Sequence, residues 1–341
     1  MKLWWHRNLI YSLLLLLLLS GCQASQSTVN SEPNNIPIVI NELEEVELDK
    51  PIVLGFSQLG SESKWRLANT ESIEAAASEM GIELILKNAE QSQEKQFEAI
   101  RSFIEQKVDI IAFAPVVETG WEPILLEVHA AGIPVILIDR AVDVEDSSLI
   151  VTFIGSDFYD EGVKAGKYLI DKMRDRDEPI YIAELAGTIG STPSIERGEG
   201  FREMINDQSN LILAVSESAD FTIEKGKQVM KQFLEADQLP DVLSAHNDDM
   251  ALGAIQAMEE AGLVPGVDIV IISVDGTQRA LEAMSEGKIN LIVECNPLLG
   301  PMIIQAANEI MAGRTLPKRI IPPENVFTET MPLEEISKRK Y

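Results

Sequence analysis

The sequence predicts an α/β protein of two doubly wound lobes, each a parallel sheet covered by helices, and three observations point there. Between residues 51 and 276, short runs of Val, Ile and Leu alternate with longer amphipathic stretches, the pattern of strand and crossover helix. The short runs are apolar almost throughout, so both faces of their sheets must be covered. The 341 residues suit roughly two domains at ~150 residues each.

In order, residues 51–57 (PIVLGFS) read as a strand and 62–80 as a helix that stops at Gly81. Residues 82–87 are extended, and 92–107 form an amphipathic helix with Phe97, Ile100, Phe103 and Ile104 on one face. A buried strand at 108–115, a helix at 120–131 and a strand at 133–139 complete the first series. The second runs 179–187, 194–208, 211–216, 222–236, 241–247, 248–261 and 268–276. The two series echo each other. Ala131-Gly132-Ile133-Pro134 leads into VILID at 135–139, and Ala261-Gly262-Leu263-Val264-Pro265 leads to IVIISVD at 269–275, both ending in aspartate.

Ahead of the lobes, Lys2, His6 and Arg7 precede an apolar run over residues 9–19 that includes seven consecutive leucines. That is the charged start and apolar centre of an export signal, and it is shorter than the ~20 residues a spanning helix needs. Leu19-Ser20-Gly21-Cys22 resembles the lipobox of bacterial lipoproteins, which implies a signal peptide over 1–21 and lipid on Cys22. Residues 22–50, rich in Ser, Asn, Pro and Glu, read as a flexible tether that holds the body outside the cytoplasm at a membrane.

With 28 Lys and Arg against 55 Asp and Glu, the formal charge is −27, which disfavours nucleic acid as a partner. Residues 1–21 hold two of the basic residues and none of the acidic ones, so the mature chain stands at −29. Two cysteines and three histidines are too few for a zinc or iron–sulfur centre, and no cofactor is expected. With Cys22 lipidated, Cys295 has no partner for an intramolecular disulfide. No G-x-S-x-G elbow exists, and neither His129 nor His246 has a nucleophile beside it. Gly198-Glu199-Gly200 lacks a third glycine, and Gly187-Thr188-Ile189-Gly190-Ser191 lacks the lysine of a phosphate loop. Asn247 and Asp248 fall where a helix begins, which favours capping over cation binding for Asp248-Asp249.

Ligands of open parallel sheets bind beyond the carboxyl ends of the strands, where Asp139 and Asp275 sit. An aspartate after a strand also suits a turn or cap; the matched pair favours ligand contact. Arg66, Asp139, Arg140, Arg197, Asn247 and Asp275 supply forked donors and bidentate acceptors, and Trp65 and Phe221 supply flat apolar faces. Each alone has a plainer reading, as a solvated helix charge or a packing aromatic. Together they suit a carbohydrate, whose C–H faces stack and whose adjacent hydroxyls take forks. Three arginines against two aspartates, or three acids if Glu294 joins, favour a neutral sugar over an anion.

Seven stretches give the chain a family likeness: GFSQLGSESKWR (55–66), FAPVVETGWEPIL (113–125), ILIDRAVDV (136–144), AELAGTIGS (183–191), DFTIEKGKQVM (220–230), AHNDDMALGAIQAM (245–258) and SVDGT (273–277). From residue 51 on, the chain resembles the type I periplasmic sugar-binding proteins of ABC importers, the ribose-binding-like group, and most of all its galactofuranose-binding members. The resemblance implies a three-strand hinge, one lobe of 51–155 plus 296–325 and a second of 156–295 plus 326–341. It implies ligand contacts from Ser61, Trp65, Arg66, Asp139, Arg140, Arg197, Phe221, Asn247 and Asp275, with Glu294 near the third crossover where ribose binders place a glutamine. Asp139→Ala is expected to leave Arg140 without a partner. The implied protein is a monomer that captures a neutral monosaccharide and hands it to a membrane permease. Two rival readings are a receptor for a chemotaxis or two-component sensor and a secreted carbohydrate-active enzyme, which would need two carboxylates flanking a glycosidic bond.

Overall fold

In the computed structural model, residues 50–330, 334, 336 and 338–341 are described. The expected signal peptide (1–21), Cys22 and all of the expected tether except Lys50 lie outside them.

Strands β1 (Val53–Gln58), β2 (Glu83–Asn88), β3 (Ile110–Phe113), β4 (Val135–Ile138) and β5 (Thr152–Ile154) pair in the order β2, β1, β3, β4, β5. Strands β6 (Ile180–Ala186), β7 (Leu211–Ser218), β8 (Val242–Ala245), β9 (Val270–Asp275) and β10 (Leu291–Glu294) pair in the order β7, β6, β8, β9, β10. The two orders are the same permutation, so both lobes wind alike and each has its switch point between its first and third strands. Strand β11 (Arg319–Ile320) joins the first sheet beside β5, and β12 (Val326–Thr328) joins the second beside β10.

All pairings are parallel except β12 against β10, a departure from the purely parallel sheets that the sequence predicts. The reason is the connection. Residues 321–325 lead straight from the carboxyl end of β11 in the first lobe to the carboxyl end of β10 in the second, where Val326 pairs with Val293, so β12 runs back along β10.

Helices α1 (Lys64–Glu79), α2 (Gln93–Gln106), α3 (Glu122–Ala130) and α9 (Gly300–Met311) accompany the first sheet. Helices α4 (Phe158–Lys172), α5 (Thr192–Asn206), α6 (Ile223–Leu234), α7 (Asp248–Glu260) and α8 (Gln278–Ser285) accompany the second. Each sheet is sandwiched by two apolar clusters. One holds Leu54, Phe56 and Ile138 against Ile73 and Ile303; the other face buries Phe113 and Val135 against Phe103 and Trp121. In the second lobe the faces are built on Leu243 and Met258 and on Phe158 and Phe201. Burying a side chain of this size is worth roughly 1.5–3 kcal/mol, so these four layers hold the fold without a disulfide.

The chain passes between the sheets three times, after β5, after β10 and between β11 and β12. Across the cleft, the Lys64 amide donates to Asp249 Oδ2 at 3.0 Å, the Glu118 amide to Gly190 O at 2.9 Å and the Ala141 amide to Thr192 Oγ1 at 2.9 Å. The lobes are shut against each other.

Candidate ligand-binding site

Helix α1 starts at Ser63, whose Oγ accepts from the Arg66 amide at 3.1 Å, a cap worth about 1 kcal/mol. It places Trp65 and Arg66 in the first turn, below the carboxyl end of β1. Arg66 Nη2 donates to Asp139 Oδ2 at 2.6 Å and its Nε to Glu62 Oε1 at 3.2 Å, while Glu62 Oε2 accepts from Gln91 Nε2 at 2.7 Å. Asp139 follows β4 with φ 62°, a left-handed backbone that aspartate tolerates better than most residues. Beside it Arg140 Nη1 donates to Val116 O at 2.9 Å. Burial and the neighbouring Arg66 charge push the Arg140 guanidinium down to about 10. Trp65 donates its indole N–H to Cys295 O at 2.7 Å, so its ring meets the second crossover.

The second lobe supplies the opposite wall. Arg197 on α5 donates through Nε to Glu161 Oε2 and through Nη1 to His246 O, both at 2.6 Å, and its Nη2 stands 3.9 Å from Asp275 Oδ1. Burial would lower the Arg197 pKa, but the charge of Glu161, its hydrogen bond and the charge of Asp275 act together with the other nearby groups to raise it and hold the group cationic. Burial and the Asp248 carboxylate push Asp275 well above the usual range. Asn247 caps α7, its Oδ1 accepting from the Met250 amide at 3.0 Å, and donates from Nδ2 to Phe221 O at 3.3 Å. Phe221 has φ 60°, and its ring lies 5.4 Å from the Arg140 guanidinium across the cleft, within cation–π reach. A methyl group on Gly187 would stand 1.9 Å from the Phe221 ring tip. The glycine-rich run after β6, too incomplete for a phosphate loop, thus makes room for this ring.

These side chains line a pocket whose empty space, its open mouth included, is about 300 Å³, with Glu62, Ser63, Trp65, Arg66, Asp139 and Arg140 from one lobe and Pro193, Arg197, Phe221, Asn247, Asp275 and Cys295 from the other. Eight of the ten residues predicted from sequence line it. Ser61 and Glu294 do not. Ser61 is exposed ahead of α1, and the inward serine is Ser63, three residues before the amide it caps. Glu294 is buried at the end of β10, but Oε1 accepts from Arg339 Nη2 at 2.7 Å and from Tyr341 OH at 2.9 Å, and Oε2 from the Asn325 amide at 2.8 Å. Its oxygens are committed to the tail of the chain. The partner of Asp139 is Arg66 rather than Arg140, whose Nε lies 3.9 Å away.

Sequence reasoning missed Glu62, Ser63, Pro193 and Cys295, and behind the wall Glu161. The Ser63 cap was the available signal for the first two. Glu161, Cys295 and Glu324 bring ligating atoms within 4.8 Å of one another. Each carboxylate is engaged through one oxygen, Glu161 Oε2 by Arg197 and Glu324 Oε1 by Ser156 and the Asn296 amide, and Glu161 Oε1 is buried with no hydrogen-bond partner among the described residues.

Three guanidinium groups and three carboxyl groups line the cavity, so its formal charge balances. Two buried donors in its wall, Arg66 Nη1 and Arg140 Nε, have no hydrogen-bond partner among the described residues, and leaving such groups unmet is costly. Like-wound lobes shut over a polar, neutral cavity define a solute-binding protein of the two-lobed, cleft-closing class. The profile of the periplasmic binding protein domain matches residues 54–315, and the chain belongs to that family. It is 40% identical over 297 residues to the galactofuranose-binding protein YtfQ of Escherichia coli, covering 86% of this chain and 93% of that one. A Mycobacterium smegmatis protein in complex with β-D-fucofuranose superposes with TM-score 0.81 at 48% identity, covering 84% of this chain and 93% of that one. The arabinose-transporter binding protein of Shewanella sp. ANA-3, bound to α- and β-L-arabinofuranose, superposes with TM-score 0.81 at 45% identity, covering 84% and 95%.

Proposed function

We propose that this chain is the extracytoplasmic receptor of an ABC sugar importer and that it captures a neutral monosaccharide in its furanose form, with galactofuranose the leading candidate. The observation that carries the reading is the charge-balanced cavity with unpartnered arginine donors. A neutral polyol satisfies those donors without adding a charge to a buried site. The ring form is supported by relatives that bind galactofuranose, fucofuranose and arabinofuranose.

The mechanism is hinge closure. Trp65, Arg66, Asp139 and Arg140 take the sugar from one side, Arg197, Phe221, Asn247 and Asp275 from the other, and only the shut state makes both sets of contacts. Closure expels water and strengthens the charged hydrogen bonds. The shut form is then presented to a permease, with Cys22 carrying the lipid that keeps the receptor at the membrane.

Isothermal titration against a panel of neutral hexoses and pentoses, with uronic acids as anionic controls, tests the ligand class. Carbon-13 spectra of a bound sugar labelled at its anomeric carbon report the ring form. Binding of neutral sugars with furanose anomeric signals is expected; heat from the uronic acids alone would overturn the reading. Labelled palmitate should enter the chain but not Cys22→Ala, and equal labelling of the variant would remove the anchor.

A further inference from the structure

The carboxylate of Asp275 accepts no hydrogen bond from the protein among the described residues; its nearest cationic partner is Arg197 Nη2 at 3.9 Å. Where that carboxylate sits is therefore set by its backbone. That backbone is unusual, with φ 125° at Asp275 followed by φ 83° at Gly276. An L residue holds such a conformation only when its surroundings impose it.

Two sets of contacts impose it. On one side Asp248 Oδ2 accepts from the amides of Gly276 and Thr277 at 2.9 and 2.7 Å and from Thr277 Oγ1 at 2.8 Å. On the other, Arg339 Nε donates to Gly276 O at 2.8 Å, and the Gln278 amide donates to Tyr341 O at 2.7 Å. Arg339 is itself fixed. Glu294 Oε1 takes its Nη2 at 2.7 Å, and its guanidinium lies 4.9 Å from the Phe327 ring and 4.5 Å from the Tyr341 ring. A side chain on Gly276 would collide with Arg339 Nη2 at 2.7 Å.

We propose that Arg339, held by Glu294 and Tyr341, is a positioning residue that clamps the turn after β9 and so aims the Asp275 carboxylate into the sugar cavity. The proposal rests on the sugar-binding reading and assigns a role to Glu294, which the sequence places among ligand contacts. Arg339 acts through Asp275 and touches no ligand.

The test is a double-mutant cycle on the full chain in detergent, read by titration with whichever panel sugar the wild type binds, up to millimolar concentrations. Arg339→Gln should raise the Kd about tenfold, and in an Asp275→Asn background it should cause almost no further loss, because coupled sites are non-additive. An unchanged Kd, or the same fold loss in both backgrounds, would overturn the proposal. Should Arg339→Gln not fold, Tyr341→Phe, which keeps the ring and removes the hydroxyl that accepts from Arg339 and donates to Glu294, is expected to weaken binding in the same coupled manner. Amide exchange without sugar is an independent arm. Arg339→Gln, or Tyr341→Phe in its place, should speed exchange at Thr277 and Gln278 and leave the β8 amides unchanged; equal rates contradict the clamp. A wild type that takes no sugar removes the binding reading alone, since the exchange arm still judges the clamp.

Discussion

Asp139 holds together the first lobe's half of the cavity. Its carboxylate bonds Arg66 at 2.6 Å and stands 3.9 Å from Arg140, with all three side chains almost fully buried. Removing a buried anion strands its cations, a loss larger than any one hydrogen bond. Asp139→Ala is accordingly expected to weaken sugar binding by about 2–5 kcal/mol, measured by titration, with wild-type affinity as the contrary result. At this scale the sequence was informative where chemistry and position coincide: both strand-ending aspartates and all three arginines reach the cavity. It misled where position alone spoke. Glu294 closes a strand just as Asp275 does, yet its oxygens are taken by Asn325, Arg339 and Tyr341, partners far off in sequence that no local pattern reveals.

Among the elements, the strands with continuous apolar runs were legible, and so were the helices between them. The region after β4 was legible only in part. Helix α4 begins at Asp157, whose side chain accepts from the Asp160 amide at 3.1 Å, and it buries Phe158, Ala165 and Leu169, a readable amphipathic pattern that brings Glu161 behind Arg197. The short strands β5, β11 and β12 carry too few residues for a period, and their pairing is set by the crossovers. Those crossovers meet at Ser156, Cys295 and Glu324, with Ser156 Oγ 3.3 Å from Cys295 Sγ. Burial and the nearby Glu161 carboxylate push Glu324 up to about 8. A carboxyl whose pKa is higher folded than unfolded contributes stability at low pH that is lost as pH rises from about 4.5 toward 8. Glu324→Gln, which cannot ionise, should therefore gain on the wild type across that range, by at most about 5 kcal/mol at pH 9 for a rise from 4.5 to about 8, with little difference at pH 5. Thermal melts across that range check it, and parallel curves would contradict it.

For the whole molecule, two lobes of identical winding place the ends of β1 and β4 opposite those of β6, β7, β8, β9 and β10, so one cavity draws on seven strand ends and on the starts of α1, α5 and α7. The internal echo at residues 131–139 and 261–275 already hinted at this duplication. Of the cleft-spanning bonds from Lys64, Glu118 and Ala141, the last two join neutral groups and are worth only about 0.5–1.5 kcal/mol net each, and the first, to a carboxylate, about 1.5–3. Such a closed state is held weakly by the protein itself and leaves the ligand to supply the rest. Small-angle scattering of the folded body with and without saturating sugar tests this most directly. A fall in radius of gyration on adding the sugar, to the value computed for the shut lobes, is the predicted result; superimposable curves from a sample that titration shows to be fully bound would contradict closure around the ligand.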